Sequence, residues 1–300
     1  MLASVRAFAA SVVSAALLLG VGGSPALAKG GHQGPGPGPS SSSTTGNDIS
    51  WPQCGGSYPS GQAFGIVGLT GGLANRLNSC FASELSWALG SSGGLTSVPL
   101  ASLYVNTADP GQLISQVTDW PTNNVDPNNV DVAQLDPYGG GTCDGTDSPA
   151  CSWQYGWDRA IQDQLWLVDH GPTGASELPA DYPWWLDVET GNTWETGTLA
   201  NNVADLEGMV AAFVSATETY NGVPLGGASV GVYSTSSQWT TITGGTSGSV
   251  VLTGLPDWIP GARRESSATS NCKLKSFTGG PVLITQWSGH PYDGDVACQG

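Results

Sequence analysis

Apolar positions in this 300-residue chain fall into short runs that alternate with helix-spaced stripes. Runs at 48–51, 64–69 and 100–106 read as strands, as do 182–189, 230–233, 258–259 and 282–287. After an Asn78-Ser79 start, Phe81, Leu85, Ala88 and Leu89 repeat at the spacing that gathers residues on one helix face. The same spacing links Trp157, Ile161, Leu165 and Val168 within 153–168. It also links Val203, Leu206, Val210 and Phe213 within 199–220, the best helical pattern in the chain. The stretch 107–152 is long, polar and turn-rich. Strands alternating with helices predict a mainly parallel sheet with crossover helices. For one domain of this length, a single β/α barrel is the leading architecture. An open doubly wound sheet is the alternative, but no glycine-rich phosphate loop follows the first strand.

The N-terminus breaks this pattern. Residues 1–28 carry Arg6, an apolar stretch from Ala7 to Val21, and a small-residue end, Ala26-Leu27-Ala28. That order is expected of a secretory signal peptide. The apolar stretch is shorter than the roughly 20 residues a membrane-spanning helix needs. Residues 29–46, rich in Gly, Pro and Ser, read as a disordered linker. One folded domain is expected over 47–300.

Composition narrows the function. Lys and Arg number 8 against 24 Asp and Glu, a formal net charge of −16, and no basic run exists. This argues against nucleic acid or an anionic membrane as a partner, because both reward clustered cations. Export to an oxidising compartment makes six cysteines readable as three disulfides. Nearest-neighbour pairing is expected: Cys54–Cys80, Cys143–Cys151 and Cys272–Cys298. The short Cys/His spacings of a zinc site are absent, and neither a metal nor a cofactor is expected. The product is expected to be an extracellular monomer.

The most informative segment is Pro183-Trp184-Trp185-Leu186-Asp187-Val188-Glu189. On a strand, Trp184, Leu186 and Val188 share one face, suited to packing under outer helices. Trp185, Asp187 and Glu189 share the other, toward a barrel interior or its mouth. Two carboxyls so close raise one another's proton affinity, giving an acid beside a base, the pairing that glycosidic bond cleavage uses. Asp48 on the first strand and Asp295 after the last could converge with them, since strand ends gather at one mouth of a barrel. Asp293-Gly294 reads as a turn, which makes Asp295 the better candidate of the two. Trp51, Trp185, Trp194 and Trp287 lie beside these acids in sequence.

These motifs resemble those of family 25 glycoside hydrolases, the N-acetylmuramidase-type lysozymes. The likeness lies in a first-strand Asp48-Ile49-Ser50, a second strand ending near glycines (64–72), and the paired acids of Leu186-Asp187-Val188-Glu189. Gly231-Val232-Tyr233-Ser234 and Thr285-Gln286-Trp287 with Asp295 complete the ordered set. The resemblance implies a β/α barrel that cleaves polysaccharide or peptidoglycan without a cofactor. It implies that Glu189 is the general acid and that Asp187 orients the substrate or stabilises an intermediate formed by its 2-acetamido group. Asp48 and Asp295 would complete the acidic cluster, and Tyr233, Trp287, Trp185 and Trp51 would line the sugar cleft. The chain departs from the family at Tyr104-Val105-Asn106, where a Tyr-His pair is frequent, and lacks an acid in 68–72, so it resembles a divergent subgroup.

Rival readings rest on single motifs. Gly227-Ala228-Ser229-Val230-Gly231 matches a serine-esterase elbow that would use His290, yet the elbow needs a strand before the serine and a helix after it. Asp126, Asn128 and Asp131 hint at calcium without the glycine and terminal glutamate of an EF-hand loop. The alternative from another class is a non-catalytic wall- or glycan-binding module on the same scaffold.

Overall fold

The computed structural model describes residues 44–93, 95, 97–125, 136–138, 142–245 and 248–298. The expected signal peptide, the linker as far as residue 43, and Asp126, Asn128 and Asp131 lie outside the described residues. The strands are β1 (Thr45–Ile49), β2 (Gly65–Gly68), β3 (Ala101–Asn106), β4 (Pro183–Asp187), β5 (Thr219–Tyr220), β6 (Val223–Pro224), β7 (Ser229–Tyr233), β8 (Asp257–Ala262), β9 (Val282–Trp287) and β10 (Asp293–Ala297). The helices are α1 (Phe81–Leu89), α2 (Pro149–His170), α3 (Leu199–Ser215), α4 (Ser236–Thr243) and α5 (Glu265–Asn271).

Eight strands close into a barrel in the order β1-β10-β9-β8-β7-β4-β3-β2. All neighbours run parallel except β10, which is antiparallel to both β1 and β9. The expected β/α barrel is therefore present in mixed form. Asp293-Gly294 is not a turn after the last strand but the start of the closing strand. Gly294 stands opposite Trp287, where a β-carbon would overlap the indole ring. The glycine that resembles a turn signal serves a close approach. The first strand takes in Thr45 and Gly46 from the end of the segment read as linker.

The other differences have local causes. α3 ends at Ser215 rather than near Tyr220, because Asn221-Gly222 adopts positive φ (51° and 85°) and turns β5 back onto β6. Asn-Gly is the dipeptide that suits such a two-residue hairpin. α4 and α5 are short and rich in Ser and Thr, with few apolar residues to mark a stripe. Thr235 caps α4 by accepting a hydrogen bond from the Gln238 backbone N–H at 3.2 Å. Ser229 begins β7 at the end of the barrel remote from His290, which is exposed between β9 and β10. A strand rather than a helix begins at the serine, so the esterase elbow is overturned.

Two cores follow from strand alternation. Outside the barrel, Trp184, Leu186 and Val188 pack with Trp157, Ile161, Leu206, Val210 and Phe213 of α2 and α3. The Trp184 and Phe213 rings stand 4.5 Å apart. Inside, Phe64, Ile66, Trp185, Trp258 and Ile284 fill the barrel, with Tyr104 and Tyr233 packed above them. All three expected disulfides are formed, Cys54–Cys80, Cys143–Cys151 and Cys272–Cys298. The mutual approach of α2 and α3 depends on two glycines. A β-carbon at Gly156 would overlap the Asp205 carbonyl, and one at Gly208 the Trp153 carbonyl.

Glycine to alanine inside an ordinary helix stabilises by about 0.5–1 kcal/mol. Here Gly156→Ala and Gly208→Ala are expected to do the reverse, by roughly 1–3 kcal/mol, because backbone has nowhere to yield without parting the helices. Urea unfolding would show it; an unchanged or raised midpoint would mean that α2 and α3 separate freely.

Candidate active site

The C-terminal ends of the seven parallel strands form one mouth, and side chains alternate up to it. On β4, Trp185 faces inward one layer below Asp187, and Glu189 follows just beyond the strand. Asp187 is buried, 7% exposed. Its Oδ2 accepts a hydrogen bond from Asn106 Nδ2 at 2.7 Å, and Asn106 stands directly opposite it on β3. Asn106 is itself fixed by Thr70, whose hydroxyl donates to Asn106 Oδ1 at 3.0 Å and accepts from the Asn106 backbone N–H at 2.8 Å. Asp187 Oδ1 is buried with no hydrogen-bond partner among the described residues. Burial, then the negative charge of Glu189, pushes the Asp187 carboxyl well above the usual range, against the pull of Asn106.

Glu189 is half-buried. Its carbonyl accepts from Trp194 Nε1 at 2.8 Å, which pins the backbone. Its Oε1 accepts from Gln238 Nε2 at 3.3 Å, so α4 meets the carboxylate at the rim.

A second pair of acids crosses the seam between β1 and β10. Asp295 is fully buried and its Oδ1 accepts from Trp258 Nε1 at 2.9 Å. Asp48 Oδ2 accepts from Gln286 Nε2 at 2.9 Å. The oxygen of the same amide accepts from the Tyr233 hydroxyl at 3.0 Å, so one Gln286 orients both groups. Asp295 Oδ2 is buried with no hydrogen-bond partner among the described residues, and the neighbouring Asp48 charge further disfavours its ionisation. Burial raises Asp48 to about 6 and holds Asp295 well above the usual range, the Asp48 charge adding to the latter.

Tyr233 binds the two pairs into one site. Burial raises its phenol, and the charges of Glu189, Asp48, Asp187 and Asp295 all add to that shift. The expected convergence of four acids from β1, β4 and β10 is thus present at the mouth. Tyr104 reaches it from β3, its phenol raised by burial and then by Asp48. Gly68, directly opposite, leaves room for its ring, since a β-carbon there would press on Tyr104 and Ser50. No group of three or more His, Cys, Asp or Glu with metal-binding geometry occurs among the described residues.

No family model matches the chain. No curated protein matches it either. A similar solved structure is the bacterial lysozyme from Streptomyces coelicolor, with 15% identity over 87% of this chain and 94% of that one, at a TM-score of 0.45.

The aromatic residues expected at the cleft divide. Tyr233 is there, half-buried among the acids. Trp51 is 52% exposed in the turn after β1, against Gly72. Trp185 is buried beneath the site, edge-on to Trp258 at 5.9 Å, and serves as its floor. Trp287 lies on the outer face of β9 with Ala262, Ala268 and Val296, because the inward position belongs to Gln286. The assignment of Trp185 and Trp287 to a sugar-lining surface is therefore corrected. Asn106, Gln286, Trp258, Tyr104 and Gln238 were not singled out as site residues. Strand parity could have found the first four, since each lies in a predicted strand on the inward side.

Burial raises other carboxyls too: Glu84 to about 7, Asp109 to about 6, and Glu195, with Asp147 adding, to about 8. Each of these groups, like Asp48, holds a proton in the folded chain at a pH where the unfolded chain has released it. Stability is therefore fully present near the ordinary carboxylate range and is lost as pH rises through about 6 to 8. The urea midpoint is expected to fall from about pH 5 to about pH 8 at constant salt. A midpoint that stays level or rises across that window would contradict the protonated state of these acids.

Proposed function

We propose that this protein is an exported glycoside hydrolase that cleaves an N-acetyl-sugar polysaccharide of the cell-wall type by carboxylate acid catalysis, related to the N-acetylmuramidase-type lysozymes. The observation that carries this reading is the barrel mouth itself, where the buried Asp187 carboxyl, pushed well above its usual range by burial, lies beneath the half-buried Glu189. Glycosidic cleavage needs a proton delivered to the leaving oxygen and negative charge held against an oxocarbenium-like centre. Glu189 stands at the rim, where a bound chain would pass, and is the general acid. Asp187, fixed by Asn106, lies deeper and orients the substrate or stabilises charge on a 2-acetamido group. The Asp48–Asp295 pair, anchored by Gln286 and Trp258, positions the Tyr233 hydroxyl, and exposed Trp51 offers a stacking surface for a sugar ring.

Three disulfides and the absence of any helix among the described residues long and apolar enough to cross a membrane agree with export through the N-terminal segment. A polysaccharide substrate also agrees with a barrel mouth that gathers carboxyl, phenol and amide groups, which match sugar hydroxyls.

Purified protein incubated with peptidoglycan and with soluble N-acetyl-sugar oligomers is expected to release reducing ends. Glu189→Gln should lower the rate by about 10²–10⁴-fold, the usual range for a positioned general acid. Asp187→Asn should lower it comparably while leaving oligomer binding within a few-fold. If no reducing ends appear, and the wild type and both variants bind glycan equally, the protein is a glycan-binding module and the hydrolase reading fails.

A further inference from the structure

Six cationic side chains lie in the described residues, Arg76, Arg159, Arg263, Arg264, Lys273 and Lys275. Arg159 makes the ion pair found among those residues, with Asp119 at 3.1 Å. Four of the six fall between 263 and 275, all exposed and none in an ion pair with a described residue. In a chain of net charge −16, this local excess of positive charge stands apart from the rest of the surface.

The first two of these arginines line a hollow of about 480 Å³ with Gly261, Ala262, Ser267 and Asn271. No carboxylate lines it; the nearest in sequence, Glu265, follows Arg264 as the exposed first residue of α5. Its walls are fixed. Ala262 and Ala268 are buried against Val296 and Trp287, and the Ser288 N–H donates to the Ala262 carbonyl at 2.9 Å. The Cys272–Cys298 disulfide ties the end of α5 to the end of β10. The hollow also sits at the same end of the barrel as the acids. Ala262 lies opposite Trp287, the residue after Gln286, which holds Asp48.

Arginine presents a planar fork of donors that matches a carboxylate or phosphate with two parallel hydrogen bonds. A neutral sugar chain can accept single hydrogen bonds from that fork but offers no charge-assisted pair, and the overall negative charge would repel an anionic chain unless a local patch received it. We propose that Arg263 and Arg264 form an oxyanion subsite at the rim of the barrel, so that the polymer taken by this protein is an anionic glycan bearing carboxylate or phosphate groups. Ser267 and Asn271 add neutral donors to the same hollow. The inference rests on the glycan-cleaving reading for the nature of the polymer, and deepens it by naming the charge of the substrate.

The test separates binding from cleavage. In a Glu189→Gln background, affinity would be measured for chitin oligomers, carboxymethylated chitin oligomers and phosphorylated chitin oligomers of matched length. The anionic chains are expected to bind about ten-fold tighter than the neutral one at low salt, and the advantage to shrink once salt shortens the screening length to about 3 Å near 1 M. Adding Arg263→Gln and Arg264→Gln should abolish the advantage and leave neutral binding unchanged. Whichever anionic chain loses more identifies carboxylate or phosphate as the group received. Equal binding of all three chains by the Glu189→Gln protein, or an advantage that survives removal of both arginines, overturns the subsite. Absence of reducing ends from every chain with the wild type would defeat the hydrolase reading alone, since the binding comparison does not depend on turnover.

Discussion

The structure depends on how its barrel closes. Seven parallel strands from β1 to β9 leave two free edges, each a row of unpaired backbone groups. β10 fills the gap by running antiparallel to both, and so removes both edges with five residues. That closure also makes the site, because it carries Asp295 into the interior beside Asp48 and Gln286. Burying Asp295 is costly unless its oxygens are paired. The Trp258 N–H supplies a partner for Oδ1, and the buried Oδ2, left without one, favours the protonated form. Seam and acid pair are therefore one feature. The disulfide from Cys272 to Cys298 holds the strand just past its end.

Much of this was legible in the sequence where the signal was periodic and local. The β4 segment has two faces of different character, and alternation alone sends Trp184 outward and Asp187 inward. The helix stripes of α1, α2 and α3 survive because each packs on the barrel through apolar residues. What stayed hidden was set by long-range pairing. β10 reads as a turn because Asp-Gly is a turn dipeptide, and only the Trp287 ring on the neighbouring strand explains the glycine. Trp287 itself resembles a cleft residue until the register puts Gln286 on the inner face. Gln286 and Asn106 fall within Thr285-Gln286-Trp287 and Tyr104-Val105-Asn106, but nothing local says which acid each one holds. Their roles arise from standing across from Asp295 and Asp187 in the closed barrel.

Some of the chain's 44 glycines acquire a structural reason in the same register. The interior of an eight-stranded barrel is just wide enough to be filled by side chains. Here it is filled largely by rings, and a ring beneath the site needs a bare neighbour. Trp185 faces Gly231 across the β4–β7 pair, and Tyr104 faces Gly68 across β2–β3. A β-carbon on either glycine would press into the opposing ring. Cross-strand pairing of aromatic and glycine recovers the stability that a glycine in a strand loses. The result is a rigid aromatic floor that keeps water from beneath the acids.

That floor decides how four carboxyls can share one mouth. The donors that meet them are the Gln286, Asn106 and Gln238 amides and the Trp258 indole, all neutral. No cation neutralises the cluster by an ion pair among the described residues. In a dry interior, like charges without a counter-charge retain protons instead. Burial raises Asp187, Asp48 and Asp295 in this sense, and a carboxyl in its protonated form can donate as well as accept. A lysine or arginine in this position would instead favour the ionised form of these buried carboxyls. The scarcity of cations, which in the composition only excluded nucleic acid, is thus the condition under which this site can hold acid and base side by side.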